Sequence, residues 1–144
     1  FIVSHKRNPI RSLKNFVYPA FIKPLNLEAS EGISQVSFAE SESEALERIK
    51  FIHDKYEVDA IIEEFIDGRE IYVSVLGNDR LVAFPPRELF FEEMPEGTPK
   101  FATFHAKWND QYRKKWGINS GHAALNAEEE KKIIETCKKI YRVL

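Results

Sequence analysis

The sequence predicts an α+β fold of two small lobes, each built from an antiparallel sheet and helices, with the second lobe incomplete. Several short segments rich in β-branched and aromatic residues are separated by turn sequences, which is typical of hairpins. Two longer segments carry apolar residues at helical spacing and begin with capping residues. Because the hairpins stand beside the helices instead of alternating with them, the pattern favours α+β over a doubly wound parallel sheet.

Composition limits the classes of protein and of partner. The chain has 144 residues, 43% of them hydrophobic and 31% charged, which indicates a globular protein. With 21 basic and 23 acidic residues it has no strong basic footprint for nucleic acid, and no apolar run approaches the roughly 20 residues of a membrane helix. Cys137 is the single cysteine, so no internal disulfide can form. We therefore expect a cytoplasmic protein with neither a nucleic-acid nor a membrane partner.

The first part of the chain is predicted to contain two strands and a loop. Residues 1–4 and 19–23 are the strands, and the second ends before Pro24 because proline disfavours helix at the preceding residue. Residues 25–31 are predicted to form a loop. Residues 33–38 then alternate apolar and polar side chains, which indicates an extended segment.

Two helices follow from capping patterns. Ser41 and Glu44 have the spacing of a capping box and precede an amphipathic segment, which predicts a helix from Glu42 to Tyr56. Asn126 and Glu129 have the same spacing and precede a second apolar stripe. The sequence therefore predicts a helix near each of these caps.

Between the two helices the pattern predicts hairpins. Residues 59–66 are rich in strand-forming side chains, and residues 67–68 supply a turn. The next strand covers residues 71–75, and a turn at residues 77–79 returns the chain into a strand at residues 81–84.

The remaining segments are less regular. Residues 87–100 are charged and contain prolines, so we predict a loop, and residues 101–108 are predicted to be extended. The chain begins without methionine on a strand pattern and stops within a helical pattern. We interpret it as a fragment of a longer protein.

Lys23 is the first residue that packing does not readily explain. Strand alternation places Phe21 and Lys23 on one face and Ile22 on the other. A lysine at a strand end can extend its ammonium group to water, and it can also reach a phosphate. The pattern leaves both interpretations open.

The loop after Lys23 contains small residues that suit a phosphate. Ser30, Gly32 and Ser34 let backbone amides approach an anion closely, and the two hydroxyls add donors. An ordinary turn has the same composition, so the loop alone does not distinguish the two.

Several charged residues interrupt apolar segments. Glu63 and Glu64 lie in an apolar strand and point to opposite faces. One of them therefore faces a lobe interior or a cleft. The alternative is an edge strand with a solvated face. Glu70 follows after a turn, and a carboxylate can accept hydrogen bonds from two vicinal ribose hydroxyls. Lys107 lies in an aromatic segment and is a second candidate cation.

Other kinds of site are not indicated by the sequence. The histidines and Cys137 show no metal-ligand spacing, so no metal ligand is assigned. No nucleophilic triad can be argued and the Walker A pattern is absent, so no catalytic residue is assigned either.

Taken in order, four segments resemble the central part of an ATP-grasp domain, and the resemblance is closest to the D-alanine–D-alanine ligases. The most specific is residues 63–70 (Glu-Glu-Phe-Ile-Asp-Gly-Arg-Glu), within the matching segment 61–73. The others are residues 18–24 (Tyr-Pro-Ala-Phe-Ile-Lys-Pro), residues 29–34 (Ala-Ser-Glu-Gly-Ile-Ser) and residues 105–108 (His-Ala-Lys-Trp). The resemblance covers nearly the whole chain.

The resemblance implies an ATP-grasp-like fold in which residues 1–66 form the lid lobe and residues 67–144 the first part of the larger lobe. It assigns ATP contacts as follows: Lys23 and Lys107 to the phosphates, a closing loop with Ser30 and Gly32 over them, hinge residues Glu63, Glu64, Phe65 and Ile66 to adenine, and Glu70 to ribose. In the family, that loop carries glycine and paired serines where Glu28 and Ala29 stand here.

The implied activity is an ATP-dependent carboxylate–amine ligase that acts through an acyl phosphate, with ATP and magnesium as cofactors and a small carboxylate and an amine as substrates. The magnesium ligands are expected beyond Leu144, so the fragment alone is expected to be inactive. Truncation is expected to uncover a sheet face and to favour a homo-oligomer or lower stability. Two alternatives stay open: a non-catalytic nucleotide-binding module of the same fold, and an α+β interaction domain.

Overall fold

The computed structural model describes all residues, 1–144, and divides them into two compact units. Unit 1 comprises residues 1–68 and 95–115, and unit 2 comprises residues 69–94 and 116–144. The sheets of both units are antiparallel and are accompanied by helices, so the predicted α+β class is confirmed. No helix has the length and apolar content to cross a membrane.

Unit 1 is built on a four-stranded antiparallel sheet and one long helix. Its elements are β1 (Ile2–Ser4), β2 (Ala20–Pro24), β3 (Phe38–Ala39), α1 (Glu42–Tyr56), β4 (Ala60–Glu64), α2 (Phe104–Trp108) and α3 (Asp110–Lys115). The strand order is β1-β4-β2-β3. Helix α1 packs against β2, β3 and β4.

The core of unit 1 lies between this sheet and α1. Burial alternates along β2, with Ile22 buried and Phe21 and Lys23 partly exposed, as the alternation predicted. Full burial of an isoleucine side chain contributes about 1.5–3 kcal/mol, so this core fixes which face of the sheet stays open. The buried cluster consists of Leu13, Ala20, Ile22, Ala39, Ala45, Ile49, Ile52, Ala60 and Ile62.

Helix α1 has the predicted bounds and the predicted cap. The Ser41 hydroxyl accepts a hydrogen bond from the Glu44 amide at 3.4 Å, while the Glu44 carboxylate accepts one from the Glu40 amide. The cap residue at the other end, Glu57, has a left-handed conformation with φ 60°. The cap satisfies an amide that would otherwise lack a partner at the first turn, which is why the sequence locates this helix well.

Unit 2 contains a three-stranded sheet, a short hairpin and one helix. Its elements are β5 (Glu70–Tyr72), β6 (Val75–Leu76), β7 (Val82–Ala83), β8 (Arg87–Phe91), β9 (Ile118–His122) and α4 (Ala127–Val143). The sheet order is β5-β8-β9, and β6 pairs with β7. Asn126 and Glu129 form the predicted capping box at the start of α4, and no residue of α4 is buried.

The prediction of a loop over residues 87–100 was wrong for its first part, where β8 is the central strand of the unit 2 sheet. Glu88 points inward, and Arg69 neutralises its charge. Because a charged residue occupies a buried position, the alternation of apolar and polar side chains is not visible in the sequence. The segment therefore has the composition of a loop. β9 was not predicted: Gly121 lies where a Cβ would come within 2.9 Å of the Phe90 ring, so the strand needs a residue that usually disfavours strands.

Residues 101–108 were predicted to be extended, but residues 104–108 form α2, so Lys107 lies on a helix. The Thr103 hydroxyl accepts a hydrogen bond from the Ala106 amide and caps the helix. Five residues are too few to show a helical period, which is why the pattern missed it. The extended segment at residues 33–38 is also shorter than predicted, because residues 35–37 form a 3₁₀ turn.

The two units are not consecutive segments of the chain. Residues 95–115 belong to unit 1, although they lie between the two segments of unit 2. Likewise, the single strand predicted at residues 71–75 is divided between β5 and β6. Lys107 therefore belongs to unit 1 with Lys23.

Candidate functional site

The open face of the unit 1 sheet carries an ion pair between Lys23 and Glu63. In the β2–β4 register Phe21 lies opposite Glu63 and Lys23 opposite Ile61, so the paired side chains are diagonal neighbours on one face. Lys23 Nζ lies 2.6 Å from Glu63 Oε2, and each side chain is 36% exposed. A partly exposed pair of this kind contributes about 0–1 kcal/mol to stability. Stability therefore gives little reason for two opposite charges on an otherwise apolar strand pair.

Phe21, which lies opposite Glu63 in the strand register, belongs to a group of packed phenylalanine rings. The rings of Phe21 and Phe101 meet edge to face with centroids 4.9 Å apart, and those of Phe38 and Phe65 do so at 4.8 Å. Phe65 also lies 6.1 Å from Phe101, so the four rings are continuous. Phe21 belongs to the same strand face as Lys23. We call these four residues the aromatic cluster.

The sequence predicted only Phe65 from this cluster. Phe21 was noted as facing with Lys23 but was not assigned a role, and Phe101 was missed because it comes from the returning segment 95–115. The alternation of Phe21 and Lys23 was the signal that could have identified an aromatic surface beside a cation. Flat rings beside an exposed charge offer stacking surface to a planar ligand.

The loop between β2 and β3 is a series of tight turns. The Glu31 amide donates to the Glu28 carbonyl at 2.9 Å, and the two central residues Ala29 and Ser30 have φ of 53° and 64°. Positive φ at both central positions is the pattern of a type I′ turn, which usually takes asparagine and glycine. Two residues with side chains are thus held in a conformation that they rarely adopt.

This loop is fixed to the segment that carries Lys107. The Ser30 hydroxyl donates to the Ala102 carbonyl at 2.8 Å, and the Trp108 indole N–H donates to the Ala29 carbonyl at 3.0 Å. The Phe104 amide donates to the Ile33 carbonyl, also at 3.0 Å. The structure therefore brings the predicted loop and the Lys107 helix together within unit 1.

Gly32 has a structural reason to be glycine. Its φ is 73°, and a Cβ there would come within 2.5 Å of Pro24 Cγ. Its carbonyl accepts a hydrogen bond from the buried guanidinium of Arg48. Burial lowers the pKa of Arg48, because the charged form loses hydration. Packing explains this glycine whether or not an anion approaches it.

The other predicted residues of unit 1 are more exposed. Lys107 lies on α2, is partly exposed, and its ammonium group makes no hydrogen bond or ion pair. Glu64 is exposed at the end of β4, and Ile66 is 86% exposed. An isoleucine and a free lysine left in solvent are available to a ligand.

Glu70 lies in unit 2, at the start of β5, opposite Leu89 of β8. The Tyr72 hydroxyl donates a hydrogen bond to Glu70 Oε1. Desolvation, together with this bond, raises the pKa of Tyr72 well above its ordinary value, because the neutral hydroxyl is the form that donates to Glu70.

Unit 1 also has a groove. It has a volume of about 1250 Å³ and runs beside α1 and residues 31–36. Acidic side chains and aromatic rings line much of it: Glu31, Glu40, Glu44, Glu47, Phe38, Phe51, Tyr56 and Phe104. Of the residues that the resemblance assigns to ATP, only Gly32 lines this groove. The groove is therefore not the predicted ATP site.

No group of three or more histidine, cysteine, aspartate or glutamate side chains is arranged to hold a metal ion in residues 1–144. Magnesium at nucleotide sites is commonly held by one or two carboxylates together with substrate phosphates and water, so this finding assigns no magnesium ligand among these residues.

Comparison with known proteins agrees with the sequence motifs. A family model described as D-ala D-ala ligase C-terminus matches residues 3–144. The D-alanine–D-alanine ligase of Listeria innocua is 34% identical over 124 residues, which cover 84% of this chain and 29% of that protein. D-alanine–D-alanine ligase B of Clostridium tetani is 32% identical over 143 residues, which cover 97% of this chain and 35% of that protein.

Two solved structures resemble the fold. The VanG D-Ala:D-Ser ligase from Enterococcus faecalis superposes with a TM-score of 0.61 at 27% identity, over 89% of this chain and 33% of that chain. The D-alanyl-alanine synthetase A from Vibrio cholerae does so with a TM-score of 0.56 over 85% of this chain and 34% of that chain, and at 16% identity it supports the fold alone.

The predicted ATP-grasp-like fold is confirmed by these neighbours. The chain spans about a third of the length of the relatives and structures compared above. Because the family model matches residues 3–144, nearly the entire sequence, the chain belongs to the D-alanine–D-alanine ligase C-terminal domain family.

Proposed function

We propose that the complete protein is an ATP-dependent ligase that joins a small carboxylate to an amine through an acyl phosphate. Family membership supports this reaction class. The observation that carries the proposal for this chain is the open face of β2 and β4, where Lys23, Glu63 and the aromatic cluster lie together. A cation beside flat rings is the chemistry that a nucleotide needs, and stability does not require it there.

In this proposal Lys23 and Lys107 bind the ATP phosphates. Lys23 has three N–H donors, so it can retain Glu63 and still donate to a phosphate oxygen. Lys107 has no partner in the protein, so binding a phosphate breaks no existing contact. The loop with Ser30 and Gly32 lies over the phosphates and excludes water from the acyl phosphate, which hydrolyses readily.

The base and the sugar are assigned to the segment after Glu63. Glu63, Glu64, Phe65 and Ile66 contact adenine, with the Phe65 ring available for stacking. Glu70 accepts hydrogen bonds from the ribose hydroxyls. These assignments come from the family motif, and each residue is partly or fully exposed.

Phosphoryl transfer gives these groups their roles. The transition state is loose, and catalysis depends on positioned cations more than on covalent chemistry. The two lysines hold and orient the transferred phosphoryl group. Magnesium is proposed to bind to carboxylates of the complete protein other than those described, as the family resemblance implies.

The substrate class is proposed from the relatives. The curated relatives are named D-alanine–D-alanine ligases, so D-alanine is the first carboxylate to test. The VanG protein is a D-Ala:D-Ser ligase, so D-serine is the second amine to test beside D-alanine. A cytoplasmic location and a homo-oligomer remain predictions.

The test is the release of inorganic phosphate by the full-length protein with ATP, magnesium and D-alanine. We expect release that depends on D-alanine and falls strongly in Lys23→Ala. Lys50→Ala is the matched control, since Lys50 pairs with Asp54 on the exposed side of α1 and is expected to leave the rate unchanged. ATP binding without turnover would instead favour the non-catalytic nucleotide-binding module, and no ATP binding would favour the interaction domain.

A further inference from the structure

Glu70 is held in place by its neighbours on β5. Residues 70 and 72 of a strand point to the same face, and the Tyr72 hydroxyl uses this proximity to donate to Glu70 Oε1. The terminal torsion of a glutamate is otherwise broad, so a free carboxylate samples many orientations. A donor fixed on one oxygen selects the orientation of the carboxylate plane.

The backbone before Glu70 is also fixed. Arg69 Nε donates to Glu88 Oε1 at 2.9 Å, and Arg69 Nη1 donates to the Ala124 carbonyl at 3.1 Å. Glu88 is only 8% exposed on the adjacent strand, so this attachment is to the interior of unit 2. A paired Arg–carboxylate contact has a defined geometry, which limits rotation of the chain at residue 69.

Packing does not explain why residue 72 is a tyrosine. The residue is 43% exposed, so it does not fill a core. Its hydroxyl is directed at the carboxylate that the family motif assigns to ribose. The residue type is thus explained by its hydroxyl more than by its ring.

We propose that Tyr72 is a positioning residue that orients the Glu70 carboxylate toward the ribose and thereby sets the preference for ATP over its deoxyribose analogues. The inference rests on the proposed function, in which Glu70 binds the ribose. With Oε1 held by Tyr72, the remaining acceptor positions of the carboxylate point in a fixed direction. Two vicinal hydroxyls are recognised only when both carboxylate acceptors point in the correct directions. A change in the orientation of the Glu70 carboxylate therefore weakens ribose recognition more than phosphate binding.

The test compares ATP with 2′-deoxy-ATP and 3′-deoxy-ATP in the full-length protein, for wild type and Tyr72→Phe. We expect Tyr72→Phe to lower the ratio of kcat/KM for ATP over the deoxy analogues by roughly threefold to tenfold, the effect of weakening recognition by about one ordinary hydrogen bond. Most of the change is expected in KM, because the phosphates keep their contacts. The expected ratio for Tyr141→Phe is that of wild type, since Tyr141 is an exposed tyrosine on α4.

A double-mutant cycle separates positioning from a general loss of structure. In a Glu70→Ala background, Tyr72→Phe is expected to have no further effect on the ratio. An unchanged ratio in Tyr72→Phe, or a wild type that binds ATP without discriminating between ribose and deoxyribose, would overturn the inference while leaving the ligase assignment intact. A wild type that binds none of the three nucleotides would overturn the proposed function, and the inference with it.

Discussion

The principal helices of the two units are similar in length but differ in burial. Helix α1 has 15 residues and buries Ala45, Ile49 and Ile52 against its own sheet. Helix α4 has 17 residues and buries none, and Ile140 on its apolar stripe is 50% exposed. Both sequences are amphipathic and capped. An amphipathic pattern therefore predicts that a helix forms, but it does not predict what the apolar face packs against. The predicted ATP contacts, apart from Glu70, lie in the unit whose helix is buried.

The largest difference is expected from core substitutions. In the 144-residue protein, Ile62→Ala is expected to destabilise unit 1 by about 2–5 kcal/mol, because its fully buried side chain leaves a cavity against α1. Ile140→Ala on α4 is expected to change the free energy of unfolding by only about 0.5 kcal/mol, as for a surface site. Urea denaturation of both variants measures the difference. Equal losses of unfolding free energy would show that the apolar face of α4 is buried, and would contradict the difference between the two helices.

The next effect concerns the inward charge of unit 2. Glu88→Ala is expected to destabilise that unit by about 1–3 kcal/mol, because Arg69 loses its bonded carboxylate and Glu88 is nearly buried. Asp54→Ala removes the exposed ion pair with Lys50 in unit 1 and is expected to have little measurable effect. Denaturant midpoints of the two variants compare an inward with an outward charge. A larger loss for the Asp54 variant would contradict this explanation of β8.

The same carboxylate gives a pH dependence. The hydrogen bond from Arg69 holds the pKa of Glu88 below its ordinary value of 4.5. Because the folded-state pKa lies below the unfolded one, ionised Glu88 stabilises the protein above about pH 4.5, and this contribution is lost as the pH falls through the folded pKa. Glu88→Gln is expected to flatten that part of the stability curve. A variant curve parallel to the wild-type curve would assign the acid sensitivity to other groups, such as Glu42 and Asp59, whose pKa values are also lowered.

The smallest effect is expected in the turn of the unit 1 loop. Ala29→Gly is expected to stabilise the protein by about 0.5–1 kcal/mol, since glycine adopts the positive φ of 53° without a Cβ clash. Ala124→Gly, at an exposed position without positive φ, is expected to be neutral or slightly destabilising and serves as control. Thermal denaturation at fixed pH measures both. A destabilised Ala29→Gly would mean that the Ala29 methyl group stabilises the loop.

Some elements could be predicted because their information is local. The bounds of α1 follow from Ser41 and the apolar stripe, and the two faces of β2 follow from alternation. β8 could not be predicted because the partner of Glu88 lies 19 residues away, so its charge had the appearance of a solvated loop. α2 was missed because its five residues are too few to show a helical period, and its aromatic side chains suit a strand as well.

The predicted site residues were chosen by the family motif, and the structure adds the contacts between them. Lys23 and Glu63 had been considered separately, and the antiparallel register makes them a pair. Phe101 joins Phe21 only because residues 95–115 return to unit 1, a long-range contact with no local signal. Tyr72 was given no role by the sequence, since a hydrogen bond between two side chains of one strand leaves no mark on the pattern.

The most direct test of the central claim is calorimetric titration of ATP into the full-length protein, for wild type, Lys23→Ala and Lys50→Ala. Lys23→Ala is expected to weaken ATP binding by about 1–3 kcal/mol, roughly a 5- to 150-fold rise in Kd, because a charge-assisted bond to phosphate is lost. Lys50→Ala is expected to bind as wild type does, although it also removes one positive charge. Equal ATP affinities for wild type and Lys23→Ala would contradict the assignment of the open face of β2 and β4 to the nucleotide.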